Sequence, residues 1–392
     1  MDVSPEFGKY VKNCIGDGLC VRLWKNMKHS TLIVSSVAAV AVLVSCTSGV
    51  PESRYDTAML ETLPSLVCEY RIPVLQYCYT SPGRDLDGVV TAADTLFESG
   101  PVVDRSSIFQ AASLSKPLFA YIVMKLADQG KIDLDAPLSG YVDTDRFEDR
   151  EMAEKLTART VLCHRTGLPN WAAGPSSDEW PSSAIRFKYR PDSCFSYSGE
   201  GYAFLQRAVE RIEGKPIDET AQELVFGPLN MPNTSYSWLP QYDTLALNGF
   251  NADGRNRGQG RHPRANVAYT LRTNAVEYSR FLAALAKGEG LSEAARKEMF
   301  TLQTPAQRYA YQPRGCDAEV SWCLGFGSVR GEWFWHWGDN GSFKSLWIMR
   351  PESGETFVYF TNSAHGHEIV DTLLTGMLKE ELPIGSWIND QG

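Results

Sequence analysis

The sequence predicts an α+β protein, and three observations carry that reading. Val74 to Tyr79 alternates apolar and polar side chains like a strand, and Val89 to Leu96 reads as a second strand. A long middle stretch then carries helical periodicity. Strand-like text returns near Leu324–Phe360. Strands, then helices, then strands again place the chain among α+β architectures.

Residues 1–26 precede the first recognisable signal and read as an upstream extension, with Cys14 and Cys20 carrying no structural meaning. Residues 27–46 read as a targeting segment. Met27-Lys28-His29 is a short basic start, and Thr31–Val44 is an uncharged, mostly apolar run. At about 14 residues it is short for a membrane span and typical of a signal core. It ends in Leu43-Val44-Ser45-Cys46, which resembles the lipobox of bacterial lipoproteins. That resemblance implies lipid on Cys46 and a place in the cell envelope, facing the periplasm or cell surface. Residues 47–58 read as a tether and 59–392 as the folded domain.

Within that domain a helical pattern runs from Ala58 to Pro73, ahead of the first strand. Ile108 introduces an amphipathic helix over Ser113–Gln129, where Leu118, Ile122 and Leu126 recur every four residues. Gly201–Ile212 and Asn274–Lys287 read as further helices. Asn274 with Glu277 forms a capping pair, and Gly288 closes the second of them. Asn251–Asn266, with Arg255, Arg257, Arg261 and Arg264, reads as a long exposed loop.

Composition narrows the function. Of 392 residues, 43% are hydrophobic, enough for a large core. The net charge of −9 lies in the body, since basic residues outnumber acidic ones before Cys46. An acidic body without a basic stripe argues against nucleic-acid binding. Beyond Cys46 stand Cys68, Cys78, Cys163, Cys194, Cys316 and Cys323. Export permits disulfides, with Cys316 and Cys323 closest in sequence, but buried free thiols serve equally well. His365-Gly366-His367 lacks a third ligand and predicts no metal site. No cofactor is expected.

The chemistry begins at Ser113-Leu114-Ser115-Lys116. Three residues of separation put the Ser113 hydroxyl and the Lys116 amine one helical turn apart. A serine needs a partner that takes its proton, and a desolvated lysine can do so. At a helix start, backbone N–H groups also favour a developing negative charge.

Further motifs follow in order: Leu162-Cys163-His164-Arg165-Thr166-Gly167-Leu168-Pro169, then Cys194-Phe195-Ser196-Tyr197-Ser198-Gly199, then Trp335-His336-Trp337-Gly338-Asp339. With Ser113-x-x-Lys116 they resemble the serine β-lactamase and penicillin-binding-protein superfamily, especially the esterases and D-amino-acid peptidases related to class C β-lactamases. The resemblance spans roughly Met59–Leu378. It implies an antiparallel sheet flanked by helices, with a mostly helical region inserted. It also implies an acyl-enzyme on Ser113, with Lys116 and Tyr197 sharing the proton work. The oxyanion would rest on the backbone N–H groups of Ser113 and Asp339.

Two positions depart from the family pattern. Gly199 stands where the family usually has Asn, and His336 stands where class C enzymes usually have Lys. Gly199 and Gly338 belong to the substrate-binding edge implied by the resemblance. His336 is expected to hydrogen-bond within the site or meet a substrate carboxylate or leaving group. Trp335 and Trp337 alternate with it, so they are expected to face away. His164 is expected to shape the loop beneath the site. The expected activity is that of an envelope serine hydrolase acting on esters, D-amino-acid amides or peptidoglycan peptides. A β-lactamase proper, or a penicillin-binding sensor that acylates and stalls, are the alternatives.

Overall fold

The structure, a computed structural model, describes residues 55–92, 103–306 and 319–389. All of them fall in the second of two units into which the chain divides, Gly49–Gly392. The expected signal segment with Cys46, residues 1–26, Cys316 and the end of the expected Val89–Leu96 strand lie outside the described residues.

Ten strands are described: β1 Val74–Ser81, β2 Arg84–Thr91, β3 Phe109–Gln110, β4 Arg272–Thr273, β5 Thr304–Pro305, β6 Val320–Trp322, β7 Gly327–Val329, β8 Trp333–Asp339, β9 Lys344–Arg350 and β10 Glu355–Thr361. Eight form one antiparallel sheet in the order β2-β1-β10-β9-β8-β7-β6-β5. The N-terminal strand β1 therefore lies beside the last strand, β10, with Leu75 opposite Thr361. Strands β3 and β4 pair separately, Phe109 with Thr273.

Strands β8, β9 and β10 are buried along almost their whole length. Burial on both faces explains why they read as apolar runs instead of alternating patterns. The helix Ala275–Lys287 packs on β1 and β10. It is capped as expected, with Glu277 N–H donating to Asn274 Oδ1 at 2.8 Å and Gly288 left-handed at φ +70°.

Three details differ from the sequence reading. The second strand starts at Arg84, joined to β1 by the two-residue turn Pro82-Gly83, with Gly83 at φ +80°. It lies at the sheet edge and is half exposed, so Arg84, Asp85 and Asp87 are tolerated there and hide its strand character. The folded body reaches back into the expected tether. Tyr55 is 5% exposed and packs on the rings of Tyr79 and Trp333.

The third difference concerns the helix that follows Ser113. It begins as the 3₁₀ turn Ala112–Leu114 and continues as the α-helix Ser115–Asp128. It is buried nearly all round and is not amphipathic. Phe119, Ala120, Val123 and Met124 fill the faces that Leu118, Ile122 and Leu126 leave.

Among the described residues Cys68, Cys78, Cys163, Cys194 and Cys323 are free thiols. Burial pushes Cys163 up to about 12, so it behaves as an inert apolar side chain. No helix among the described residues is long and apolar enough to cross a membrane.

Candidate active site

Ser113 sits at a turn held from every side. The preceding residue, Ala112, has φ +50°, a left-handed conformation that costs a non-glycine residue about 1–2 kcal/mol. The surroundings hold it there. Ala111 N–H donates to Leu271 O at 2.8 Å, and Ser345 Oγ donates to Ala111 O at 3.0 Å. Ser115 Oγ donates to Ala112 O at 2.5 Å, and Tyr278 Oη donates to Leu114 O at 2.8 Å. Gly338 is part of this clamp. A Cβ at that position would collide with Ala111 O and Ser345 Oγ, so only glycine lets β8 lie against the turn.

Lys116 is 1% exposed. Its Nζ donates to Ser113 Oγ at 3.2 Å and to Ala268 O at 2.7 Å. Burial alone pushes its pKa well below the ordinary lysine value. The amine lies over the Tyr197 ring, 4.7 Å from its centroid. The Tyr197 hydroxyl is buried and makes no well-formed hydrogen bond among the described residues, although Ser113 stands beside it. Burial raises the phenol and Ser113 pulls weakly the other way, so Tyr197 rests protonated.

Two histidines lie behind this group. His164 lies tilted against the Tyr197 ring at 4.2 Å between centroids, and its Nδ1 accepts from Ser198 N–H at 3.1 Å. It thus shapes the floor beneath the site as expected, from a left-handed φ of +56°. His336 is fully buried and does not line the cavity at Ser113. Its Nδ1 donates to Trp337 O at 2.7 Å, which leaves Nε2 as a lone pair without a partner among the described residues. Burial and then the nearby Lys116 push both histidines well below the ordinary value, so both are neutral. Trp337 does not face away. It stacks on His336 and lies 5.0 Å from the Tyr197 ring. Trp335 joins Trp387 in the core, as expected.

The cavity at Ser113 has a volume of about 370 Å³, and Lys116 and Asp339 line it too. Gly199 and Gly338 do not; both are buried spacers. A Cβ on Gly199 would collide with the Trp171 ring, which fills the space the family's Asn side chain would occupy. Gly199 N–H donates instead to Asn170 Oδ1 at 2.9 Å. Asn170 and Trp171 line the cavity themselves, although sequence reading stopped one residue short of them at Pro169.

The far wall was legible only as a loop. His262 Nε2 donates to Gln110 Oε1 at 3.2 Å, and Asn340 Nδ2 donates to the same oxygen at 2.7 Å. Because Nε2 carries the proton, His262 Nδ1 accepts from Ser176 Oγ at 3.3 Å, and Ser176 in turn accepts from Tyr269 Oη at 3.1 Å. Behind the other wall, Glu200 is buried. Its Oε1 accepts from Ala172 N–H at 2.9 Å and Trp180 Nε1 at 2.6 Å, which fixes the segment bearing Trp171. Among the described residues no cluster of His, Cys, Asp and Glu could hold a metal ion.

A serine backed by a buried lysine and tyrosine, on an antiparallel sheet covered by helices, defines the class of active-site-serine proteins of the β-lactamase and peptidase fold. The chain belongs to the beta-lactamase family, whose family model matches residues 79–379.

Among curated relatives, the chain is 28% identical over 146 residues to the D-alanyl-D-alanine-carboxypeptidase/endopeptidase AmpH of Escherichia coli (strain K12), covering 34% of this chain and 38% of that one. It is 28% identical over 160 residues to esterase EstB of Burkholderia gladioli, covering 36% and 41%. The matches thus span less than half the length of these relatives. A D-stereospecific amidohydrolase from Streptomyces sp. superposes with a TM-score of 0.65 at 17% identity, over 82% of this chain and 99% of that one. A class C beta-lactamase does so with a TM-score of 0.65 at 15% identity, over 81% and 94%. These two likenesses concern the fold.

Proposed function

We propose that this chain is a serine hydrolase working through an acyl-enzyme on Ser113. Its substrates are esters, D-amino-acid amides or peptidoglycan peptides of the bacterial envelope, where lipid on Cys46 anchors it. One observation carries the reading: a lysine amine buried and lowered in pKa lies 3.2 Å from the Ser113 hydroxyl. The names of the relatives, a carboxypeptidase and an esterase, support the substrate classes.

Ser113 Oγ attacks the acyl carbon while its proton passes to Lys116 Nζ. The tetrahedral oxyanion faces the backbone of Ser113 and Asp339 at the cavity wall. On collapse, the bond to the leaving group breaks and that group takes the proton from Lys116, with the protonated Tyr197 beside them as the relay. Water then repeats the sequence and frees Ser113. Gly199 and Trp171 disfavour the β-lactamase alternative, because an aromatic ring fills the place of the side-chain amide.

The test is labelling with a fluorophosphonate probe, read by intact mass and peptide mapping, alongside turnover of p-nitrophenyl acetate. One adduct at Ser113 is expected, and Ser113→Ala should lose both labelling and turnover. Lys116→Ala and Tyr197→Phe should each slow acylation by at least about a hundredfold, without additivity. An adduct mapped to Ser115 or Ser198 would refute the assignment.

A further inference from the structure

We propose that Asn266 and Gln206 are positioning residues for Lys116, holding the Ala268 carbonyl that aims its amine at Ser113. The catalytic consequence rests on the function proposed above; the effect on the amine itself does not.

Lys116 Nζ meets Ser113 Oγ at 3.2 Å and Ala268 O at 2.7 Å. A neutral amine carries a lone pair beside its N–H groups. It takes the Ser113 proton only while that lone pair faces the hydroxyl, so an N–H must point elsewhere. Ala268 O makes the shorter contact and fixes that N–H. A carbonyl acceptor also favours the ammonium over the amine, so it offsets part of the burial that pushes Lys116 down.

Ala268 belongs to no helix or strand, and side chains hold its turn instead. Asn266 Oδ1 accepts from Ala268 N–H at 2.9 Å. Gln206 grips the residues on either side of Asn266: its Oε1 accepts from Val267 N–H at 3.0 Å, and its Nε2 donates to Ala265 O at 3.2 Å. Asn266 N–H donates to Thr270 Oγ1 at 2.8 Å, and that hydroxyl donates to Tyr236 O at 2.8 Å. Water has little access to these bonds, because Asn266 is 3% exposed, Gln206 is 7% exposed, and Val267 and Ala268 are fully buried. Gln206 lies in the helix Gly199–Glu213, which starts just after Tyr197, so one rigid element carries both Tyr197 and the grip on the carbonyl. Neither Asn266 nor Gln206 lines the cavity at Ser113, so both act through the backbone.

The titratable groups that face Lys116 are Tyr197 and Tyr202, whose rings lie beside the amine, and His164 and His336. Burial raises both phenols and lowers both imidazoles, so all of them are neutral. The Ala268 carbonyl is therefore the partner through which the amine is tuned.

Asn266→Ala, Asn266→Asp and Gln206→Met test the proposal. With p-nitrophenyl acetate, Asn266→Ala and Gln206→Met should each lower kcat at least about tenfold and leave KM nearly unchanged. The rate rises as the amine loses its proton, and a weakened acceptor lowers the amine's pKa. The rising limb of the pH profile should therefore move to lower pH, by about half a pH unit or more. Asn266→Asp keeps an oxygen for Ala268 N–H and should restore most of the rate and the position of the limb. Lower activity with an unmoved limb would mark a merely structural role and overturns the proposal. If Asn266→Ala does not fold, Gln206→Met carries the same expectations. The amine is also read without turnover, by NMR titration of Ser113→Ala protein isotope-labelled at lysine Cε, with the Lys116 signal identified by its loss in Lys116→Ala. A midpoint lowered by Asn266→Ala or Gln206→Met supports the positioning role even if the wild type turns over no ester. A midpoint unmoved by both overturns it.

Discussion

Lys116 illustrates how a single burial sets both chemistry and pH dependence. Its amine is removed from water and meets two oxygens but no carboxylate, so the neutral base is favoured. In the proposed mechanism the active fraction is the deprotonated one. The kcat/KM for a neutral ester should therefore climb as pH rises through a pKa well below the ordinary 10.5 and then level off. The buried histidines 164 and 336 are already neutral over that range and should add no second limb. Stability follows the same sign. The unfolded chain binds a proton at this lysine that the folded one gives up, so the lysine's contribution grows as pH rises toward 10.5 and is lost as pH falls. A rising limb that survives in Lys116→Ala would remove the lysine as its source. The Ser113–Lys116 pair was legible because helical spacing dictates the contact. The Trp171 ring against Gly199 was not, since nothing local says which distant side chain fills an empty glycine position. His336 shows the same limit: alternation along a strand gives the face but not whether that face reaches a cavity.

At the scale of elements, the site is a junction between strand β8 and the turn before Ser113. Two oxygens approach where Gly338 has no side chain, and the left-handed Ala112 depends on that contact. Gly338→Ala should push the strand from the turn. Overpacking of this kind costs about 1–3 kcal/mol in stability. The loss in ester kcat/KM should be larger, at least about tenfold, because displacement of the Asp339 backbone disturbs the proposed oxyanion contacts as well. Urea melts and steady-state kinetics on the same preparation check this, and wild-type behaviour in both would show that the strand gives way freely. The helices with sharp signals were legible: Asn274 and Gly288 delimit theirs within a residue. Strand β2 was half missed because its first residues are charged, and its Pro82-Gly83 turn was the signal that could have found it. The nucleophile helix was recognised but its burial was not. A four-residue apolar repeat looks amphipathic until the residues between prove to be buried too.

At the scale of the molecule, the order strand, helix, strand was enough to read the class of fold. It could not reveal that β1 lies in the sheet beside β10, because that pairing joins residues nearly the whole domain apart. The same scale governs where the protein resides. The body is acidic, with a net charge of −9 for the whole chain, so electrostatics should repel it from anionic lipid surfaces. Among the described residues no helix is suited to span a bilayer. The envelope attachment proposed above rests on the N-terminal segment, where the basic start at Met27-Lys28, the apolar run and Leu43-Val44-Ser45-Cys46 follow in order. Lipid on Cys46 would place the folded body, which begins by Tyr55, within about ten residues of the membrane surface, a reach of roughly 30 Å when extended. In a bacterial host fed a clickable fatty acid, the wild type should take up label and partition with detergent-solubilised membranes. Cys46→Ser should take up none and should be recovered as a soluble or unprocessed form. Mass spectrometry of the purified wild type should find Cys46 as its first residue, carrying acyl groups. A mature chain that starts elsewhere, bears no lipid and leaves the membrane fraction in buffer alone would refute the anchor.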